Sequence, residues 1–486
     1  MLFSSMTFIF IFLPLVCGLY FLVPGRKLKN IVLCLFSLLF YAWGEPFYIF
    51  LMIFSVLINY IGALGISRSA LLPQKKKIIF IITVTLNLLI LFFFKYEGFF
   101  ASNVNRLLRF CPSAPASLIP VVRLSLPLGI SFYTFQALSY VIDVYQQKVQ
   151  VQRSFFRLLL YVSLFPQLIA GPIVRYSQVE DEIENRKESL KLFCDGLFVF
   201  MKGMCCKVLF SNNLAVIADG LFADYRDAPG ILVWLAALAY MLQIYFDFSG
   251  YSKMAIGLGK MFGFSFPENF NYPYTAVSVT DFWKRWHMTL SAWFRDYVYI
   301  PLGGNRCSAA RHIFNLCVTW FLTGFWHGAS WNFILWGAWY AFFLVIEKYL
   351  FKTERRTAAG RFCGRFCTFF IVLFGWIIFR TENLSEIAGT VKRLFDFTSM
   401  ESLRMYCMNH AAVCSRLIFI IPSLIFAGSL PVYAQKLRSI VSCSRRTAVI
   451  QKTLSILSVF FTLAGFTASL CLLVADTYNP FIYFRF

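Results

Sequence analysis

Residues 313–346 read IFNLCVTWFLTGFWHGASWNFILWGAWYAFFLVI, an apolar stretch with a single histidine, His327, near its centre. No Asp, Glu, Lys or Arg interrupts the chain between Arg311 and Glu347. A helix needs about 20 apolar residues to cross a bilayer. The stretch therefore predicts two membrane-spanning helices, near 311–328 and 331–350, and it decides the class of the protein.

The composition of the whole chain agrees with that class. Of its 486 residues, 59% are hydrophobic and 14% are charged. A typical soluble domain contains about 45–50% hydrophobic and about 25% charged residues. A chain this apolar cannot cover itself with polar surface, which excludes soluble, disordered and fibrous proteins. Its continuous apolar runs also differ from the ten-residue alternating segments of a membrane β-barrel. The sequence predicts an all-α polytopic integral membrane protein.

The apolar runs predict 11 or 12 transmembrane helices. Candidate spans lie near 3–23, 30–43, 47–66, 78–94, 155–173, 192–210, 230–249, 311–328, 331–350, 366–380, 414–433 and 453–475. Two connections, 124–145 and 250–311, are too apolar to be ordinary loops and are predicted to contain re-entrant or amphipathic segments. Irregular backbone at membrane depth is tolerated only when it is buried in protein or lines a cavity. These two connections therefore predict a hollow core.

The net charge of +22 predicts the orientation of the chain in the membrane. If the N-terminus is outside, the cytoplasmic connections hold 28 Lys and Arg and the external ones 11. Cytoplasmic loops carry the excess of basic residues in membrane proteins, which favours this orientation. The same residues attract anionic lipid. Because they lie in short clusters between apolar runs, no nucleic-acid partner is predicted.

His327 is the first candidate for chemistry. An ionisable side chain inside an apolar run is costly, so such residues usually face a cavity or a partner and serve a function. The structural alternative is a histidine that only forms a hydrogen bond to a neighbouring helix. His287 is the second candidate, and no role is predicted for His312 or His410.

His287 lies in residues 281–301, DFWKRWHMTLSAWFRDYVYIP. Helical spacing predicts an aromatic and basic amphipathic helix at the cytoplasmic interface, which could serve only as a membrane anchor. The functional alternative is an entry site for a phosphate-bearing donor, because Lys and Arg bind phosphate and Trp stacks on a base. The candidate donor-binding residues are Trp283, Lys284, Arg285, Trp286 and Arg295.

Motifs for metal or nucleotide cofactors are absent from the sequence. The 14 cysteines are scattered without zinc-ligand spacing, and no phosphate-binding loop, nucleophile elbow or zinc-protease helix occurs. We predict no metal and no resident cofactor.

The last nine residues, YNPFIYFRF at 478–486, are largely aromatic. Aromatic residues next to a span usually form an interfacial belt. The alternative is that Tyr483 is itself a reactant, and the residues alone favour the belt.

Several stretches together resemble the membrane-bound O-acyltransferases, in particular the bacterial branch that includes the membrane subunit of alginate O-acetylation. The resemblance extends from the first span to the last residue. It is carried by LPLGISFYTFQALSYVIDVY (126–145), FPQLIAGPIVRY (165–176), QIYFDFSGYSKMAIGLGKMFGFSFPENFNYPY (243–274), DFWKRWHMTLSAWFRDYVYIPLGGNR (281–306), FLTGFWHGASWNFILWG (321–337) and YNPFIYFRF (478–486).

The resemblance implies a ring of tilted helices around a funnel, with His327 as the catalytic histidine and His287 as the second functional one. It implies transfer of an acyl group, most often acetyl from cytoplasmic acetyl-CoA, across a bacterial plasma membrane to an extracytoplasmic polysaccharide or cell-wall polymer. An extracytoplasmic transferase of the SGNH type is the implied partner. The ending is similar to a proposed acyl-transfer motif, which makes Tyr483 the implied acyl acceptor.

Two alternatives remain open at the level of sequence. A D-alanyl transferase for teichoic acid resembles the chain in the region of His327, and a polysaccharide or lipid transporter belongs to another class. Transporters often contain paired repeats with matching broken helices, and no such self-similarity is found here. The predicted organisation is one membrane domain, 1–486, with N-terminal helices at 1–94, a catalytic core at 95–380 and C-terminal helices with the tail at 381–486.

Overall fold

The computed structural model describes residues 1–110, 119–121, 124–350, 357–396, 399–428, 430, 432–433, 448–475 and 478–482. Regular secondary structure in these residues is helical throughout, without a strand. The all-α prediction is therefore confirmed for the described part of the chain. A helix satisfies its own backbone N–H and C=O groups, which is what a bilayer requires of a spanning segment.

The chain divides into two compact units. The first contains Met1–Phe193, Gly259–Pro267 and Gly328–Ser330, and the second contains Cys194–Leu258, Glu268–His327 and Trp331–Phe486. Both candidate histidines belong to the second unit. The single domain over 1–486 stays a prediction.

Among the described residues before position 190 there are nine α-helices, and all of them belong to the first unit. They are α1 Leu13–Leu22, α2 Arg26–Ala42, α3 Tyr48–Arg68, α4 Pro73–Lys95, α5 Glu97–Leu108, α6 Ile130–Tyr145, α7 Phe155–Ser163, α8 Phe165–Leu168 and α9 Tyr176–Asn185. A π-helical turn at Phe8–Phe12 directly precedes α1.

Helices α3 and α4 are joined by a reciprocal pair of buried amides. Asn59 Nδ2 donates to Asn87 Oδ1 at 2.8 Å, and Asn87 Nδ2 donates to Asn59 Oδ1 at 3.0 Å. A Cβ atom added at Gly62 would lie 2.3 Å from Thr83 Oγ1, so the helices approach closely there because glycine has no side chain. Small residues and amide hydrogen bonds are the usual means of packing helices in lipid.

The remaining helices lie mostly or wholly in the second unit. They are α10 Leu190–Cys205, a π-helix at Cys206–Ser211, α11 Asn212–Ala223, α12 Gly230–Met261, a 3₁₀ turn at Pro273–Thr275, α13 Val279–Trp283, α14 Met288–Phe294, a π-helix at Arg295–Tyr299, α15 Ala309–His327, α16 Trp331–Tyr349, α17 Ala358–Arg380, α18 Leu384–Leu394, α19 Met400–Asn409, α20 Ala411–Cys414, a 3₁₀ turn at Ser415–Phe419, α21 Ile420–Ala427 and α22 Ala448–Ala475.

Within the second unit, four glycines bring α10 and α12 together. A Cβ atom at Gly203 would lie 2.6 Å from the carbonyl oxygen of Gly250, and one at Gly257 would lie 2.6 Å from that of Gly196. Because Cβ atoms do not fit at these positions, the two backbones are in direct contact. This crossing places Lys207, just beyond α10, next to α12.

In the part of the chain that the structure describes, five helices are individually long and apolar enough to span a membrane, namely α3, α4, α12, α17 and residues 452–475 of α22. A bent pair, α19 with Ala411–Ala427, raises the number to six if it is one span. In α4 and α22, only 17% and 11% of the most apolar window is buried inside the protein. Apolar surface exposed to this extent fits contact with lipid.

The predicted 11–12 spans exceed what unbroken apolar helices provide in the described residues. The predicted run at 155–173, for example, breaks at Leu164 between α7 and α8. The two apolar runs around His327 form α15 and α16 at the predicted positions. Trp, Tyr and Asn residues lower the mean hydropathy of these helices, so they are not among the five. A hydropathy pattern finds apolar residues and does not detect a break in the helix.

The two connections predicted to be irregular are only partly so. The first is irregular before Ile130, and α6 then continues to Tyr145 as an interior helix with 14 of its 16 residues buried. In the second, α12 continues to Met261, and the backbone from 262 to 308 contains only short helical segments.

The orientation predicted from charge places Lys75–Lys77, at the start of α4, in the cytoplasm. In a cysteine-free background, we expect a cysteine at position 75 to react in intact cells only with a membrane-permeant maleimide. A cysteine at Glu97, just beyond the other end of α4, is the matched control and is expected to react with an impermeant reagent. Impermeant labelling at position 75 would reverse the topology.

Candidate active site

His327 is the last residue of α15 and is 5% exposed. Aromatic rings surround its imidazole: the ring centres of Trp326, Trp336 and Phe379 lie 5.0, 5.1 and 5.1 Å away. The rings of Trp336 and Phe379 meet the imidazole edge-on, with interplanar angles of 81°. The site around His327 is therefore apolar and holds the imidazole in a defined orientation.

The position of His327 is fixed by the close packing of α15 against α16. A Cβ atom at Gly324 would lie 2.2 Å from the carbonyl oxygen of Phe333, and one at Gly337 would lie 2.4 Å from that of Trp320. Only glycine allows this approach. As a result, Trp336 of α16 lies directly against the imidazole.

His287 lies between α13 and α14 and is 1% exposed. Its backbone is left-handed, with φ 42° and ψ 54°, which is rare for a residue other than glycine. The continuous amphipathic helix predicted for 281–301 is therefore wrong, because the helix breaks at His287. Helical spacing could not reveal this break, since it depends on contacts with a distant segment. Strained backbone of this kind is often found at functional sites.

That distant contact is Asn269, a residue that sequence analysis did not single out. Its backbone carbonyl accepts from the N–H of Met288 at 3.0 Å. Its side-chain Oδ1 accepts from the backbone N–H of Thr289 at 3.3 Å and from Thr289 Oγ1 at 2.9 Å, while its Nδ2 donates to Ser252 Oγ at 3.1 Å. These bonds hold the segment after α13 in place.

Asn269 also sets the tautomer of His287. His287 Nδ1 lies 3.1 Å from Asn269 Oδ1, and that oxygen is identified as the acceptor because a backbone N–H donates to it. Nδ1 must therefore carry the hydrogen, which leaves Nε2 as the basic nitrogen. Burial lowers the pKa of His287 below its ordinary value, so the imidazole is neutral.

The two histidines meet at one tryptophan. The ring of Trp326 lies 6.2 Å from that of His287 and 5.0 Å from that of His327. The other face of the His287 site is formed by Phe248 of α12, 4.6 Å away. The structure thus brings the two sequence-predicted histidines into one aromatic cluster of the second unit.

The predicted donor-binding residues occupy different environments. Trp286 is 2% exposed and packs between Phe282 and Trp376, so its faces are covered by protein. Lys284 is exposed, and Arg285 forms an ion pair with Asp281 at 2.8 Å. Stacking of a base on Trp286 would require rearrangement of this core.

Trp283 and Arg295 lie at a common cleft. The cleft has a volume of about 170 Å³ and is lined mainly by apolar and hydroxyl side chains. Its lining consists of Trp283, Leu290, Ser291, Phe294, Arg295, Tyr299, Leu316, Thr319, Trp320 and Thr323. Thr323 is one helical turn before His327 on α15, so the cleft extends along α15 towards that histidine.

The other two histidines have structural partners. His312 Nδ1 lies 2.7 Å from the hydroxyl of Tyr349, and its Nε2 lies 2.8 Å from that of Tyr299. His410 stacks on Tyr406, with ring centres 4.1 Å apart. Tyr483 lies outside the residues that the structure describes, although the preceding segment, 478–482, is described.

The chain is similar to known proteins. Residues 146–384, which include Asn269 and both histidines, match the model of the membrane-bound O-acyltransferase family. The whole chain is 37% identical to the whole of a protein of Azotobacter vinelandii named "Probable alginate O-acetylase". It is 35% identical to a peptidoglycan O-acetyltransferase of Helicobacter pylori, over 81% of this chain and 79% of that protein. A teichoic acid D-alanyltransferase of Bacillus subtilis is 30% identical over 52% of this chain and 68% of its own length.

Proposed function

This chain belongs to the membrane-bound O-acyltransferase family, and from that premise we propose that it transfers acetyl from cytoplasmic acetyl-CoA for O-acetylation of an extracytoplasmic polysaccharide. It is a multi-pass membrane protein and an O-acyltransferase. The bacterial plasma membrane is the proposed location. The observation that carries the proposal is the meeting of His287 and His327 at Trp326 in an apolar, ring-lined site.

His327 is the proposed general base. It removes the proton from the acceptor hydroxyl while the hydroxyl oxygen attacks the thioester carbonyl carbon. The carbon–sulfur bond then breaks, and the imidazolium returns the proton to the leaving thiolate. His327 lies at the C-terminal end of α15, where the helix dipole stabilises positive charge on the ring.

His287 is proposed to orient a reactant. Because its Nδ1 hydrogen is directed at Asn269, its neutral ring can only accept a hydrogen bond at Nε2. Stabilising an oxyanion requires a donor, so the tautomer favours an orienting role over stabilisation of an oxyanion. The indole N–H of Trp336 is a better candidate for the oxyanion: it is buried beside His327 without an acceptor among the described residues.

The cleft between Trp283 and Arg295 supports a thioester donor. Its narrow, largely apolar volume suits the pantetheine arm of acetyl-CoA better than the adenine ring. The Arg295 side chain is 61% exposed and is in an ion pair with Asp296, where it can also meet a phosphate. Lys284 and Arg285 remain proposed phosphate contacts at the cytoplasmic side.

The acetyl group is proposed to reach the polysaccharide in two steps, through a relay. Tyr483 takes the acetyl group as an aryl ester and passes it to an extracytoplasmic transferase of the SGNH type, which acetylates the polysaccharide. The names of the relatives support a polysaccharide acceptor, since they are an alginate O-acetylase and a peptidoglycan O-acetyltransferase.

Acetyl is favoured over D-alanyl by the extent of similarity. The two O-acetyl-transferring relatives match all or 81% of this chain, whereas the D-alanyltransferase matches 52% of it. The family assignment also leaves no support for the transporter alternative.

The donor can be tested with purified protein in detergent. We expect release of free thiol and transfer of radiolabel from acetyl-CoA, and no transfer from a D-alanyl carrier-protein thioester. Protein that has been heat-inactivated serves as the control for spontaneous hydrolysis. Transfer from the D-alanyl thioester without transfer from acetyl-CoA would replace the proposed donor.

A further inference from the structure

Lys207 and Asp247 form an ion pair in the interior of the second unit. Their charged atoms, Nζ and Oδ1, are 2.6 Å apart, and both side chains are 1% exposed. Removing two charges from water is expensive, and the cost is offset only if further hydrogen bonds satisfy the remaining donors and acceptors. The partners of this pair therefore indicate why it is buried.

Those partners are backbone groups near the C-terminus of the chain. Lys207 Nζ donates to the carbonyl oxygen of Pro480, and the backbone N–H of Ile482 donates to Asp247 Oδ2 at 2.8 Å. One short segment thus supplies a hydrogen-bond acceptor for the lysine and a hydrogen-bond donor for the aspartate. We call Tyr478–Ile482 the tail segment.

Side chains hold the tail segment at further points. Asn212 Nδ2 donates to Asn479 Oδ1 at 3.2 Å, and the hydroxyl of Tyr478 donates to Asp219. The ring of Phe481 packs on Tyr251 with ring centres 4.7 Å apart. Phe481 and Ile482 are both buried, so the tail segment forms part of the core.

The local backbone is built around this contact. Lys207 lies in the π-helix Cys206–Ser211, a helix type that is frequent at functional sites. It faces α12 because Gly203 and Gly250 let α10 and α12 approach closely. On α12, Asp247 directly precedes Phe248, whose ring lies 4.6 Å from that of His287. The described end of the tail segment is therefore bonded to the same part of α12 that contacts the candidate active site.

We propose that Lys207 and Asp247 are positioning residues that hold the tail segment so that Tyr483, the next residue, is presented to the histidine site. The inference rests on the proposed relay through Tyr483. The two charges bind the backbone of the tail segment and not its side chains, so the pair fixes the position of the chain at Pro480 and Ile482.

The pair is tested best by removing both charges together. A single substitution would leave a buried charge without its partner, whereas an apolar replacement of both is often tolerated. In Lys207→Met with Asp247→Leu, we expect amide hydrogen exchange in 478–482 to become about tenfold faster or more, because two hydrogen bonds are lost. Exchange in α12 should stay slow, and acetylation of Tyr483 detected by mass spectrometry should fall while binding of acetyl-CoA is retained.

Two adjacent asparagines supply a second, milder variant with a matched control. Asn212 contacts the tail segment, whereas Asn213 donates to the carbonyl of Leu209 at 2.9 Å and accepts from Arg416 at 3.0 Å. We expect Asn212→Leu to accelerate exchange in the tail segment and Asn213→Leu to leave it unchanged.

The outcomes of these experiments distinguish a failure of the positioning role from a failure of the relay. Unchanged exchange of 478–482 in the double variant and in Asn212→Leu would overturn the positioning role. Accelerated exchange in both variants, with no acetyl group on Tyr483 even in the wild type, would support the anchoring contact and overturn the relay. Fast exchange throughout α12 in the double variant would show a loss of fold, and the Asn212→Leu result then decides.

Discussion

Replacing His327 by alanine is expected to lower acetyl transfer by about 10²- to 10⁴-fold, the usual contribution of a positioned general base. The aromatic cluster around it should persist, because Trp336 and Phe379 also pack on each other at 5.4 Å. The measurement is the initial rate of transfer from labelled acetyl-CoA by purified protein, together with its thermal unfolding profile.

His312 offers a matched control on the same helix. It is buried and hydrogen-bonded to Tyr299 and Tyr349, but it lies about four turns from His327 on α15. We expect His312→Gln to change the rate little, and His287→Ala to lower it severely. Wild-type turnover by a folded His327→Ala protein would make His327 a structural residue.

The helical class was predicted from the sequence and is confirmed in the described residues, whereas the roles of the two histidines stay predictions. His327 stands out because an ionisable residue in an apolar run is costly and is usually kept for a function. His287 was found through the motif around it, while its environment was predicted wrongly. The left-handed backbone that breaks the helix there is held by Asn269, 18 residues earlier in the chain. Such a contact between separate segments leaves no trace in helical periodicity.

The role of Asp247 could not be decided from sequence for the same reason. In the sequence it follows an apolar run, which does not indicate what its carboxylate contacts. In the structure it pairs with Lys207 and accepts from the N–H of Ile482, 235 residues away along the chain. A carboxylate of α12 is thus bonded to the described part of the C-terminal segment.

Replacing Tyr483 by phenylalanine is expected to abolish acetylation of the polymer. The change removes only a hydroxyl and keeps the ring and its apolar area. An aromatic belt would therefore tolerate it, whereas an acyl carrier would lose the oxygen that forms the ester bond. The measurement is the O-acetyl content of the extracytoplasmic polymer in cells that carry only the variant. Full acetylation would overturn the relay and leave Tyr483 as an anchor.

The chemistry of a phenol explains why this residue would need the histidine site. A tyrosine has a pKa of about 10, so at neutral pH its hydroxyl requires a base before it attacks a thioester. The resulting aryl ester is more activated than an alkyl ester and suits transfer to a partner enzyme. The tail segment supports this assignment, because Ile482 is bonded to Asp247 beside Phe248, and Phe248 packs on His287. Label from acetyl-CoA should then appear on the C-terminal peptide only when both His327 and Tyr483 are present.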